Sequence, residues 1–175
     1  MFSSEPYSGP DSFKFVERLF KGERRLLISS PYICAYYAKM LLRISSRKRI
    51  YLITSKEPKS NAEALKYLSR KNPFRLWAYL AAIAAVPAFF ASIYLSAAFL
   101  LLAIALFAKK SNLHVKFASA SVHEKLYIGE NEAIVGSANL TYSGMHSNIE
   151  HIEIIKDKEE IEKITRHFYK LWNSI

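Results

Sequence analysis

Two short stretches hold side chains that could do chemistry together: Val122-His123-Glu124-Lys125-Leu126 and Gly136-Ser137-Ala138-Asn139. In an extended strand residues i and i+2 share a face, so His123 and Lys125 project together while Glu124 points away. An imidazole able to act as nucleophile or base then stands beside a cation. The second stretch ends a neighbouring strand in a turn, where Gly136 leaves room and Ser137 and Asn139 supply a hydroxyl and an amide. A nucleophile, a fixed positive charge and neutral hydrogen-bonding groups suit the holding and cleavage of a phosphate ester. Ser137 reads as a turn former and not a nucleophile, because no Gly-x-Ser-x-Gly elbow surrounds it. His114, His146, His151 and His167 have no comparable context and read as structural or exposed.

These stretches need strands to position them. Apolar residues at helical spacing over 12–20 (Phe13, Val16, Leu19, Phe20), with Gly22 as a stop, predict a helix. A strand over 25–30, a helix over 33–44 and a strand over 49–54 follow in order, which predicts a parallel crossover unit, and 61–69 reads as another helix. Later, 113–117 and 124–128 are predicted strands, and a turn at 129–131 leads into a strand over 133–135. A strand over 149–155 precedes a helix from 158 to about 172, whose acidic first turn (Glu159, Glu160) and later Lys163, Arg166 and Lys170 suit the helix dipole. The first ten residues read as a polar N-terminus without a cleavable signal. Tyr32, Tyr36 and Tyr37 read as packing residues before stacking ones.

Between these halves, residues 76–108 contain no charged side chain and read as membrane-embedded. Both flanks are basic, with Arg70, Lys71 and Arg75 before and Lys109 and Lys110 after, so both ends are expected on the cytoplasmic side. That calls for a hairpin with legs 76–91 and 92–108 and bends near Pro87 or 92–96. Each leg would reach about 24 Å, slightly short of a hydrocarbon core of about 30 Å, so transmembrane and shallow re-entrant forms are both open. Trp77 and Tyr79 suit interfacial anchoring. The formal charge of +10 is uneven, because residues 14–75 carry 16 Lys/Arg against 4 Asp/Glu. Such a basic half attracts phosphates, whether of nucleic acid or of an anionic bilayer. Cys34 is the only cysteine, which excludes an intrachain disulfide and a cysteine-based zinc site within one chain.

The two stretches resemble the signature of the phospholipase D superfamily: histidine, any residue, lysine, four residues, aspartate, then Gly-Ser-x-Asn. His123, Lys125, Gly136, Ser137 and Asn139 match it, Glu130 stands at the aspartate position, and Glu150 lies where single-motif members carry a glutamate on the following strand. The interval from Glu130 to Gly136 is one residue shorter than usual. The resemblance implies an α/β fold, a phospholipase D-like mixed sheet flanked by helices, interrupted by the hydrophobic hairpin. Its parts are 1–75, the insertion at 76–108, and 109–175 with the catalytic motif.

The resemblance further implies a homodimer that pairs two His-x-Lys motifs at a two-fold axis, with no cofactor and no metal. One His123 would attack phosphorus while the other protonates the leaving oxygen. Lys125 and Asn139 would hold phosphate oxygens, Ser137 and Glu150 would orient groups, Glu150 by a hydrogen bond to an imidazole nitrogen, and Glu130 and Gly136 would be structural. The expected protein is a membrane-anchored phosphodiesterase, its catalytic domain cytoplasmic and its lipid contact through 76–108. Nucleic acid is the first substrate class, anionic phospholipid the second, and a catalytically silent nucleic-acid-binding scaffold the third reading.

Overall fold

The run of strand, helix and strand between residues 25 and 55 does fold as a parallel crossover. In the computed structural model, which describes residues 4–56, 59–69, 75–108, 111–118 and 122–175, the strands β1 (Ser4–Gly9), β2 (Arg25–Ser29), β3 (Arg49–Ser55), β4 (Leu113–Ala118), β5 (Lys125–Ile128), β6 (Ala133–Gly136) and β7 (Glu150–Ile155) form one sheet. Its order is β1-β7-β6-β5-β2-β3-β4. β2, β3 and β4 run parallel, while β5, β6, β7 and β1 continue the sheet antiparallel. The expected mixed α/β sheet is therefore present.

Alternation along the strands decides which helix covers which face. Leu26 and Ile28, Ile50 and Leu52, and Ile152 and Ile154 join one core, beneath α1 (Phe13–Gly22), α2 (Ala35–Ile44) and α3 (Ala62–Leu68). Leu27, Ile53, Leu126, Ile128 and Ala133 join the other, closed by Ile161 and Phe168 of the last helix, Lys158–Ser174. That helix starts at an Asp157 cap, whose Oδ1 accepts the Glu160 N–H at 3.0 Å. A 3₁₀ turn, Lys59–Asn61, leads into α3.

β1 departs from the expected featureless N-terminus. Its residues lack apolar alternation and include Pro6, a poor strand former. The sheet edge tolerates it, because β1 needs partners on one side only, and Ser4–Gly9 pair along their whole length with β7.

The chain divides into two units, one made by Met1–Ser69 and Asn112–Ile175 and the other by Arg70–Ser111. The second holds two apolar helices, α4 (Arg75–Ala91) and α5 (Ile93–Ala108), which pack through a seam of small residues including Ala78, Ala81, Ala85, Ser96 and Ala103. Across that seam Ser96 Oγ donates to the Ala85 carbonyl at 3.0 Å. Among the described residues no helix is long and apolar enough to cross a membrane. At 1.5 Å per residue the legs span about 25 Å, so the expected transmembrane form is not supported and a pair of shorter apolar helices stands in its place. Arg70, Lys71, Lys109 and Lys110, on which the cytoplasmic orientation was argued, lie outside the described residues.

The helix numbered α6 from here on is Lys158–Ser174. At the end of the sheet where this helix begins, Glu23 holds the β5–β6 turn. Its carboxylate accepts the backbone N–H groups of Glu130 at 3.0 Å and Asn131 at 3.2 Å, together with the Asn131 side-chain amide. Glu23 is buried. Glu23→Ala is expected to lower stability by about 2–3 kcal/mol, the cost of losing charge-assisted bonds to buried donors, read as a lower urea midpoint. An unchanged midpoint would remove Glu23 from this role.

Candidate active site at the start of β5

Lys125 opens β5 beside the end of β2, since Leu126 pairs with Ser29. The residue before last, His123, lies just outside the strand and is exposed, whereas Lys125 is buried. Lys125 Nζ donates to the His123 carbonyl at 2.6 Å and faces His123 Nδ1 at 3.3 Å. Glu124 turns to the opposite face, where its carboxylate meets His167 of α6 at 2.7 Å. The strand period thus separates a solvent-facing imidazole with its lysine from a carboxylate committed to helix packing.

Gly136 is the register partner of Lys125 on β6 and of Ile152 on β7. Beyond it Ser137 is tied to β7 twice by its backbone and hydroxyl: its N–H donates to the His151 carbonyl at 2.9 Å and its Oγ accepts the His151 N–H at 3.0 Å. The same hydroxyl bonds Glu150 Oε2, and Asn148 Nδ2 donates to Glu150 Oε1 at 3.1 Å. Both Glu150 oxygens are therefore engaged within this chain by Ser137 and Asn148, and neither by an imidazole as expected. Ser137 and Glu150 meet because β6 and β7 pair side by side.

Burial pushes the Lys125 ammonium below its usual range, and the Glu150 carboxylate acts in the opposite direction. Glu150→Gln is accordingly expected to move the Lys125 titration further down, observable by NMR of its side-chain methylene next to nitrogen. No movement, or an upward one, would show that Glu150 does not act on this lysine.

Asn139 is half-buried, and its Oδ1 is buried without a hydrogen-bond partner among the described residues. Its segment is fastened to the end of β2: Ser30 Oγ accepts the Leu140 N–H at 2.9 Å, and the Cys34 N–H donates to the Leu140 carbonyl at 3.1 Å. Asn61, fully buried, in turn fastens the loop after β2. It donates to the carbonyls of Pro31 at 2.8 Å and Ser55 at 2.9 Å, and accepts the Ile33 N–H at 3.1 Å. Ser30, Asn61 and Asn148 have no motif to announce them. For Ser30 and Asn61 the only signal is polarity beside apolar strands, which buried positions must satisfy, and the exposed Asn148 gives none.

Glu130 lies at the other end of β5 with an exposed side chain, and its backbone N–H is the group held, by Glu23. The structure thus brings His123, Lys125, Gly136, Ser137 and Glu150 to one end of β5–β7 and leaves Glu130 at the opposite end. Of the tyrosines, Tyr37 is buried with its hydroxyl 3.0 Å from His146 Nε2, whereas Tyr32 and Tyr36 are exposed.

Residues 15–172 match the family described as cardiolipin synthase, PLD-like domain. No curated protein sequence matches the chain. Among solved structures, NucT from Helicobacter pylori aligns with a TM-score of 0.64 at 15% identity, covering 99% of this chain and 98% of that one. Nuc from Salmonella typhimurium, a phospholipase D family member, aligns at 0.62 and 13% identity, covering 99% and 95%. A phosphatidylserine synthase from Haemophilus influenzae aligns at 0.53 and 15% identity, covering 97% of this chain but 39% of that protein.

Proposed function

We propose, since this chain belongs to the cardiolipin synthase-type, phospholipase D-like domain family, that it is a metal-independent endonuclease built as a homodimer on a membrane surface. The observation that carries the reading is the exposed His123 backed by buried Lys125, beside a Glu150 held by Ser137 and Asn148. One chain supplies one such histidine, and the reaction needs two. The His123 of one subunit attacks phosphorus and forms a phosphohistidine, while that of the other protonates the departing alkoxide oxygen. The second histidine, now neutral, takes a proton from water, which attacks phosphorus and frees the first. Lys125 and Asn139 of both subunits hold the non-bridging oxygens.

Nucleic acid is put before lipid as substrate on the charge of residues 14–75, which carry 16 Lys/Arg against 4 Asp/Glu and attract a polyphosphate backbone. A second reading, cleavage of anionic phospholipid, draws on the family's description.

The membrane part of the proposal rests on α4 and α5. They carry large apolar side chains outward on all sides, with Phe90 and Tyr94 beside the bend both 86% exposed. A protein partner covers one face of a helix pair, whereas lipid surrounds all of them. Their length suits insertion from one side, which keeps the catalytic unit on that side, and we assign that side as cytoplasmic.

Incubation of the detergent-purified chain in EDTA with single- and double-stranded DNA, RNA and mixed phospholipids tests the whole reading. Cleaved nucleic acid is expected. Headgroup release without nucleic-acid cleavage would install the second reading, and activity lost in EDTA and restored by magnesium would overturn the metal-independent mechanism.

A further inference from the structure

The end of the sheet away from His123 is strongly basic. Arg24 precedes β2 and Arg25 begins it, Arg49 begins β3, and Arg43 and Arg47 belong to the end of α2 and the turn after it. Arg25 and Arg49 are register partners on neighbouring strands, an arrangement of like charges that costs stability unless something offsets it. None of these five arginines forms an ion pair among the described residues. Of the carboxylates on the β5–β6 side, Glu23 is committed to the β5–β6 turn and Glu132 to Arg18, at 2.8 Å, so neither is paired with these arginines.

Within this edge lies a cleft of about 320 Å³ lined by Arg43, Ile44, Ser46, Arg47 and Lys48. Lys48 is used structurally, because its Nζ donates to the carbonyls of Lys21 at 2.9 Å and Glu23 at 2.5 Å and so closes the end of α1. Arg43 and Arg47 are left with their guanidinium groups toward solvent, both being exposed. The Asn112 N–H donates to the Ser45 carbonyl at 3.3 Å, so the chain coming from the apolar helices joins the sheet unit one residue from this cleft.

We propose that this arginine edge, centred on the Arg43–Arg47 cleft, is a binding surface for the phosphate headgroups of an anionic bilayer. The inference rests on the membrane part of the reading above and deepens it. Its ligand chemistry follows from unpaired planar guanidinium groups, which hold phosphate oxygens by paired N–H donors. Its source follows from continuity: the edge adjoins Asn112, where the chain returns from the apolar helices, at the strand ends remote from the catalytic pair. Bound there, headgroups offset the Arg25–Arg49 repulsion.

Flotation of the full chain with vesicles, diluted from detergent, tests this. One set is phosphatidylcholine alone and the other contains phosphatidylglycerol. The wild type is expected to bind both sets, preferring the anionic one in a salt-sensitive manner. The triple variant Arg43→Gln/Arg47→Gln/Arg49→Gln should lose on the order of 100-fold in affinity for anionic vesicles, from about fivefold for each basic residue near the surface. Its binding to neutral vesicles should stay unchanged and its melting temperature should not fall, since Arg49→Gln relieves the Arg25–Arg49 repulsion. The control Lys158→Gln/Arg166→Gln/Lys170→Gln removes equal charge from α6 and should keep the preference. An equal loss in the control, or a triple variant that keeps its anionic preference while losing oligonucleotide binding, would overturn the proposal. So would failure of the wild type to bind either set, which defeats the membrane reading as well. Neutral binding without anionic preference defeats the headgroup surface alone.

Discussion

His123→Ala is expected to lower hydrolysis by about 10⁴-fold or more, because in a shared site it removes the nucleophile and the proton donor together, and acid–base assistance by itself contributes about 10²–10⁴. The sharper result comes from mixtures. If the reaction centre is assembled from two chains, a mutant subunit disables its wild-type partner, since the mixed dimer retains either the nucleophile or the acid and never both. Tagged wild-type and mutant chains made in equal amounts and pairing at random leave about a quarter of the dimers intact, so activity should follow the square of the wild-type fraction. A linear decline to about half would overturn the shared site even with His123 essential. The exposure of His123 and the burial of Lys125 make this a clean test, because the alanine removes a solvent-facing ring without opening the core.

Gly136→Ala should produce the largest change in stability. A Cβ at this position would come within 2.2 Å of the His151 carbonyl oxygen and 2.7 Å of the Ile152 Cα. Both are backbone atoms of β7, with β6 on one side and β1 on the other, so they have no rotamer through which to yield. Separating β6 from β7 would cost about 3 kcal/mol or more and would pull Ser137 from Glu150. Gly22→Ala is the matched comparison, as its added Cβ meets nothing within 4 Å. At that helix end alanine should be neutral or stabilise by up to about 1 kcal/mol. Equal urea midpoints for the two variants would show that β6 and β7 are not packed as described. A Gly136→Ala protein that folds normally but loses turnover would move the glycine's role from packing to the chemistry.

The differing fates of the two glycines show how unevenly the sequence speaks. Gly136 was legible as a motif position, but its need to be glycine lies in two backbone atoms of a strand some fifteen residues further on. Glu23 was not legible at all. It follows a helix as an ordinary polar residue, and its partners, Glu130 and Asn131, are 107 and 108 positions away. Glu150 was legible as a carboxylate near the site, yet its hydrogen bonds go to Ser137 and Asn148. Among the apolar helices, composition marked both legs to within a residue or two, and their lengths then set the limit on crossing a membrane.

What the sequence determined by itself was everything set by neighbours along the chain. The period of two puts His123 and Lys125 on one side and Glu124 on the other. The period of 3.6 yields the amphipathic α1 and the long last helix, and uninterrupted apolar composition yields α4 and α5. Each of these follows from dihedral preferences and burial of side chains only a few residues apart. Tertiary structure decided which polar group answers which. It recruited Ser4–Gly9 as an edge strand despite Pro6, placed Asn61 beneath the loop after β2, and gathered five arginines at the end of the sheet remote from His123. Those outcomes depend on strand order, which is selected by the burial of whole faces, and on buried donors and acceptors finding partners wherever the closed sheet places them.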